Sequence, residues 1–79
     1  MSVLVDLTDR ATTTKGIEHI MVINTLRHYI MATDNRRLIG EINKIFRQDQ
    51  LRALWEAGLN TELQQAVVRR LEELAQRRT

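Results

Sequence analysis

The chain has 79 residues, a formal net charge of +2, three glycines and no cysteine or proline. This length allows one small domain, and the lack of cysteine excludes disulfides and thiolate metal sites. Abundant Leu, Ile, Arg and Glu with so few glycines favour helix over sheet.

The amino-terminal residues are predicted to form an arm outside the helical domain. The mostly apolar residues 3–7 fit a short strand or an extended arm, with a frayed tail as the alternative. The threonine-rich residues 8–16 are typical of turns and helix caps. We therefore divide the chain into an arm of residues 1–14 and a helical domain of residues 15–79.

The first predicted helix, near residues 15–32, is apolar almost all the way round. A helix of this kind must be buried on all sides, and so short a chain has little material with which to bury it. Small domains without disulfides often gain stability by oligomerising. We therefore predict a homodimer, intertwined or side by side, through this helix. The predicted interface residues are Ile20, Ile23, Leu26 and Ile30.

The second predicted helix, over residues 35–47, has an apolar face and a basic face. Its apolar stripe consists of Leu38, Ile39, Ile42, Ile45 and Phe46. Arginine side chains suit phosphate and carboxylate equally, so a nucleic acid or an acidic protein surface is the expected partner, and a merely solvated face is the alternative. The predicted partner-binding residues are Arg36, Arg37, Gly40, Lys44 and Arg47.

The apolar pattern changes phase after residue 47, which predicts a turn and then two more helices. The third helix is short, over residues 49–57, and the fourth extends from residue 61 to about residue 77. Gly58 is expected to adopt a positive φ, because it follows one helix and precedes the cap of the next. Trp55 is expected in the core, with an exposed anchor for a partner as the alternative.

Residues 50–71 also contain the ingredients of a helix-turn-helix: a short helix, a turn at Gly58 and a longer helix. Two details fit poorly, because Leu54 stands where a small residue is usual and Gln64 stands where a buried aliphatic residue is usual. A helix that reads a DNA groove should also be basic. The outward face predicted here is near neutral and consists of Gln65, Arg69, Glu72 and Gln76.

No residue pattern predicts an enzyme, a cofactor, a metal site or a small-molecule substrate. His19 and His28 are nine residues apart, on opposite sides of one helix. The chain has no glycine-rich phosphate loop, nucleophile elbow or HExxH pattern. Charged and polar residues interrupt the apolar segment before it reaches the length of a membrane span, and we expect a cytoplasmic protein with no membrane association.

These observations predict an all-α bundle of four helices, the third of them short. The expected function is that of a small non-catalytic regulatory or adaptor protein, which acts as a homodimer through macromolecular interaction. The alternative is a DNA-binding protein of loosely helix-turn-helix type.

Overall fold

The computed structural model describes residues 2–77, and within this range the chain forms five α-helices and no strand. The helices pack around one core, in which α1 contacts α2, α3 and α4, and α5 contacts α3 and α4. The predicted all-α class is confirmed, with five helices instead of four. Their bounds are Val3–Thr13 for α1, Ile17–Ala32 for α2, Asn35–Ile42 for α3, Gln48–Ala57 for α4 and Thr61–Gln76 for α5.

The amino-terminal segment is helical, so the predicted strand or extended arm over residues 3–7 is wrong. Ser2 caps α1, because its hydroxyl accepts a hydrogen bond from the Val5 amide at 3.2 Å. Leu4, Thr8 and Ala11 lie on one side of α1 and are buried. A short segment of four apolar residues and one aspartate fits either a strand or a helix. Burial at intervals of four and three residues shows that the helical period applies.

Every helix contributes at least one side chain to the single core, and α2 contributes from one side only. Its buried residues are Ile23, Leu26 and Ile30. Other fully buried core side chains are Leu4, Leu38, Ile42, Ile45, Leu51, Leu54, Leu63 and Val67.

None of the helices in residues 2–77 combines the length and the apolar character needed to cross a bilayer.

The second predicted helix ends earlier than expected, at Ile42, and a turn follows it. The amides of Lys44 and Ile45 each donate a hydrogen bond to the carbonyl three residues earlier, at 3.0 Å. Beyond this turn the helical period no longer applies. Ile45 is therefore fully buried, whereas Phe46 is 67% exposed and leaves the predicted apolar stripe.

The connection between α4 and α5 agrees with the sequence prediction. Gly58 has a φ of +97°, which confirms the expected positive value. Asn60 caps α5, because its side-chain oxygen accepts a hydrogen bond from the Leu63 amide at 3.0 Å. The helix-turn-helix boundary over residues 57–61 is thus placed correctly.

Candidate interaction surfaces

The solvent-facing side of α2 carries a row of large apolar side chains. Ile17, Ile20, Met21 and Met31 are 63–77% exposed. Residues 17, 21, 24, 28 and 31 lie along one line of the helix, at intervals of four, three, four and three residues. We call this line, made of Ile17, Met21, Asn24, His28 and Met31, the α2 seam; Ile20 lies beside it.

The α2 seam is an energetically significant surface. Fully burying one Ile or Met side chain contributes about 1.5–3 kcal/mol. The three apolar side chains of the seam and the adjacent Ile20, each exposed by more than half, therefore represent several kcal/mol of stabilisation that the isolated chain does not obtain. Exposed apolar surface of this kind marks sites of interaction.

The structure places the residues expected at a dimer interface on two different sides of α2. Ile23, Leu26 and Ile30 lie in the core of their own chain and are not available to a second copy. Only Ile20, of the four predicted residues, is exposed. An apolar pattern all round a helix does not reveal which side the rest of the chain covers. In the structure, α1 and α4 cover the side of α2 that the sequence pattern assigns to a partner. The dimer itself stays a prediction.

The predicted basic face is present in part, on α3 and the turn after it. Arg36, Arg37, Gly40 and Lys44 are all exposed, and we call this set the α3 basic face. No ion pair joins Arg36, Arg37 or Lys44 to a carboxylate within residues 2–77. A Cβ atom on Gly40 would meet no other atom within 4 Å, so packing in this chain does not require glycine there.

Arg47 does not belong to the α3 basic face, because α3 ends five residues before it. Its guanidinium donates from Nη2 to the Asp9 carboxylate at 2.8 Å and to the Thr12 hydroxyl at 2.9 Å. Its Nε donates to the Asp49 carboxylate at 3.2 Å. Arg47 thus connects α1 to the start of α4, and two carboxylates neutralise its charge.

Glu41 lies behind the α3 basic face and is buried. Its carboxylate accepts hydrogen bonds from the Ser2 hydroxyl at 2.6 Å, the Leu4 amide at 3.3 Å and the Tyr29 hydroxyl at 2.7 Å. Burial by itself would raise the pKa of Glu41, but these hydrogen bonds and the nearby Arg37 hold that pKa below its ordinary value. The ionised carboxylate therefore joins α1, α2 and α3, and sequence patterns gave no sign of this role.

Tyr29 complements Glu41. Burial raises the pKa of the Tyr29 phenol, and the hydrogen bond to the Glu41 carboxylate raises it further. The phenol therefore stays protonated and donates its proton to the carboxylate. This arrangement is structural, since the Tyr29 hydroxyl and both carboxylate oxygens of Glu41 have hydrogen-bond partners within the chain.

The two histidines have separate environments. His19 contacts the Ala11 carbonyl through Nδ1 at 2.9 Å and the Glu56 carboxylate through Nε2 at 2.7 Å. The hydrogen bond to Glu56 raises the pKa of His19, and the imidazolium form donates at both positions. His28 is exposed on the α2 seam. Residues 2–77 contain no group of three His, Cys, Asp or Glu side chains that could hold a metal ion.

The side chain of Trp55 is half-exposed, so its predicted place in the core is wrong. Together with the half-exposed Val68 it lines a depression of about 480 Å³ between α4 and α5. Helix α4 buries Leu51 and Leu54 instead. The remaining side chains around the depression are polar or charged: Thr61, Gln64, Gln65, Arg69 and Glu72.

The outward face of α5 is arranged as the sequence predicts. Gln65, Arg69, Glu72 and Gln76 are all exposed. Arg69 and Glu72 offset each other's charge, and the face has no excess of basic residues with which to approach a phosphate backbone.

Comparisons of this chain with protein-family models, with curated proteins and with solved structures found no match.

Proposed function

We propose that this chain is a small non-catalytic regulatory or adaptor protein, which acts in the cytoplasm as a homodimer by binding another macromolecule. The observation that carries the proposal is the α2 seam together with the adjacent Ile20. The chain has a core of its own and still leaves four large apolar side chains exposed on one helix. A row of this kind is stabilised only when another surface covers it.

The α3 basic face is the proposed docking surface for the partner. Arg36, Arg37 and Lys44 are exposed and form no ion pair with a carboxylate within residues 2–77. A negatively charged partner would be attracted to these three cations and oriented by the arginine guanidinium groups. An acidic protein surface is the partner class that we favour, since the exposed face of α5 is near neutral.

Sedimentation velocity over about 1–100 μM, a range in which micromolar affinities are visible, tests the homodimer. We expect the wild type to dimerise and Met21→Glu to remain monomeric, because the substitution places a charge in the α2 seam. Val68→Glu is the matched control, since it places the same charge at an exposed apolar residue of α5. A wild type that is monomeric throughout this range contradicts the homodimer.

The double substitution Arg37→Glu plus Lys44→Glu tests the docking surface. Both side chains are exposed, so the protein should still fold, with some loss of stability because Arg37 helps to keep the buried Glu41 ionised. Binding of the native partner should weaken and lose its salt dependence. Arg52→Glu plus Arg69→Glu reverses the same number of exposed charges elsewhere and serves as the control. Unchanged affinity of the Arg37/Lys44 variant would show that the face is only solvated.

DNA binding of loosely helix-turn-helix type is the alternative, and fluorescence anisotropy with unrelated DNA duplexes tests it. An acidic protein partner leaves bare DNA unbound at moderate salt. A nucleic-acid partner gives binding that decreases steeply with salt. Loss of that binding in Arg69→Glu would place DNA on α5, whereas loss in Arg37→Glu plus Lys44→Glu would place it on α3.

A further inference from the structure

The α2 seam has the residue spacing of a coiled-coil contact. Intervals of four and three residues repeat along Ile17, Met21, Asn24, His28 and Met31. This spacing keeps one line of side chains turned toward a second helix, so a helix is the occupant that fits. The seam contains no Lys, Arg, Asp or Glu, and two copies can meet there without repulsion between such residues.

The centre of the seam reads the same in both directions. From residue 21 to residue 31 the order is Met, Asn, His, Met, which is apolar, polar, polar, apolar. The intervals of three, four and three residues are also unchanged when the order is reversed. A two-fold axis that pairs identical helices in opposite directions therefore sets apolar residues against apolar ones and polar residues against polar ones.

We propose that two copies pack their α2 helices antiparallel, with Asn24 of one copy opposite His28 of the other and Met21 opposite Met31. The proposal rests on the homodimer proposed above and specifies its geometry. Because the proposed dimer has two-fold symmetry, the Asn24–His28 contact occurs twice. In each contact the asparagine amide donates to an imidazole nitrogen, so the polar side chains in the interface have partners.

The remaining side chains are consistent with this register. The Met21–Met31 contacts enclose the polar pairs on both sides, and flexible methionines adapt well to such a packing. Arg27 is directed away from the seam, because its Nε donates to the Ala57 carbonyl of its own chain at 3.0 Å. A parallel arrangement would instead place imidazole against imidazole and amide against amide.

Disulfide trapping tests the register, because the chain contains no cysteine of its own. Asn24→Cys and His28→Cys are exposed single substitutions, and circular dichroism verifies that each variant folds. Upon mixing and mild oxidation we expect a covalent dimer that contains one copy of each variant, identified by its mass. Each variant alone should give no covalent dimer, since its two cysteines are offset along the helix by about 6 Å.

The other outcomes separate the inference from the proposed function. Covalent dimers of each variant alone, without the mixed product, indicate parallel helices and overturn the inference while the homodimer stands. If sedimentation shows a dimer but no mixture yields a covalent product, the interface lies elsewhere. This outcome also overturns the inference while the homodimer stands. A monomer in sedimentation overturns both. Val68→Cys mixed with Asn24→Cys is the control and should not become cross-linked.

Discussion

Single polar side chains hold the ends of the helices together in this protein. Arg70 is the clearest example, since it is buried and its Nε donates to the Ile45 carbonyl at 2.9 Å. Its guanidinium also lies 5.2 Å from the centre of the Phe46 ring. The carbonyl of Ile45 lies in the non-helical segment between α3 and α4, where it has no helical partner, and Arg70 satisfies it from α5. Such contacts depend on the tertiary arrangement, and no local pattern reveals them.

Gly58 is one of two glycines in residues 2–77 at which a positive φ limits the choice of side chain. Its φ of +97° is strained for any residue with a Cβ atom, although the space around it is open. We expect Gly58→Val to lower the free energy of unfolding by about 1–3 kcal/mol and Gly58→Asn to lower it less. Urea denaturation measures both values. Equal, negligible losses would contradict the positive φ.

His19 makes stability depend on pH. Because the contact with Glu56 raises the folded-state pKa of His19 above its ordinary value of about 6.5, the stabilisation is complete below pH 6.5 and is lost as the pH rises through the folded-state pKa. We expect His19→Gln to destabilise the protein more at pH 5.5 than at pH 8.5. Chemical denaturation at these two pH values measures the difference.

Two glutamate variants serve as controls for His19. Glu56→Gln removes the other member of the ion pair and should reduce the pH dependence in the same way. Glu72→Gln changes an exposed glutamate of α5 and should leave it intact. A pH dependence that is the same in His19→Gln as in the wild type would show that the ion pair does not contribute.

At the scale of elements, the segment between α3 and α4 determines which side chains enter the core. Helix α3 ends at Ile42, and the next two apolar residues differ in their exposure to solvent. Ile45 is fully buried and Phe46 is exposed. In an uninterrupted helix over residues 35–47 these neighbours would both adjoin the apolar stripe, so the early end of α3 is the reason that they diverge.

Alanine substitutions measure this difference directly. Ile45→Ala removes a fully buried side chain and should destabilise the fold by about 2–5 kcal/mol. Phe46→Ala removes an exposed ring and its contact with Arg70, a loss of about 1 kcal/mol. Thermal and urea denaturation of both variants test the order. A larger loss in Phe46→Ala would contradict the observed end of α3.

At the scale of the whole molecule, one chain forms a compact unit. Its radius of gyration is 11.9 Å, against about 11.6 Å expected for a domain of 79 residues. A protomer that has a core of its own favours a side-by-side dimer over an intertwined one. The exposed α2 seam is then the surface that we propose for this association.

Association through the seam should make stability depend on protein concentration. A dimer gains stability by mass action, so the Tm of the wild type should rise over a hundredfold increase in concentration. The Tm of Met21→Glu should stay constant over the same range, because the charge prevents association. Differential scanning fluorimetry measures both curves, and a wild-type Tm that does not change with concentration contradicts a dimer in that range.

The sequence by itself determined the helical class and the bounds of α2, α4 and α5 to within about two residues. The boundary between α4 and α5 could be predicted because two residues there act through local backbone physics. Gly58 adopts a positive φ, and the side chain of Asn60 caps α5. Exposure of Arg36 and Arg37 also followed from helical periodicity, whereas Lys44 is exposed in the turn beyond the end of α3.

Only the tertiary structure decided that residues 3–13 form a helix, that Arg47 is paired and that Phe46 and Trp55 face solvent. It also decided which side of α2 remains open. A helix that is apolar on all sides is compatible with burial of any of them, and the side that is covered depends on where α1 and α4 pack, which is a contact between distant parts of the chain.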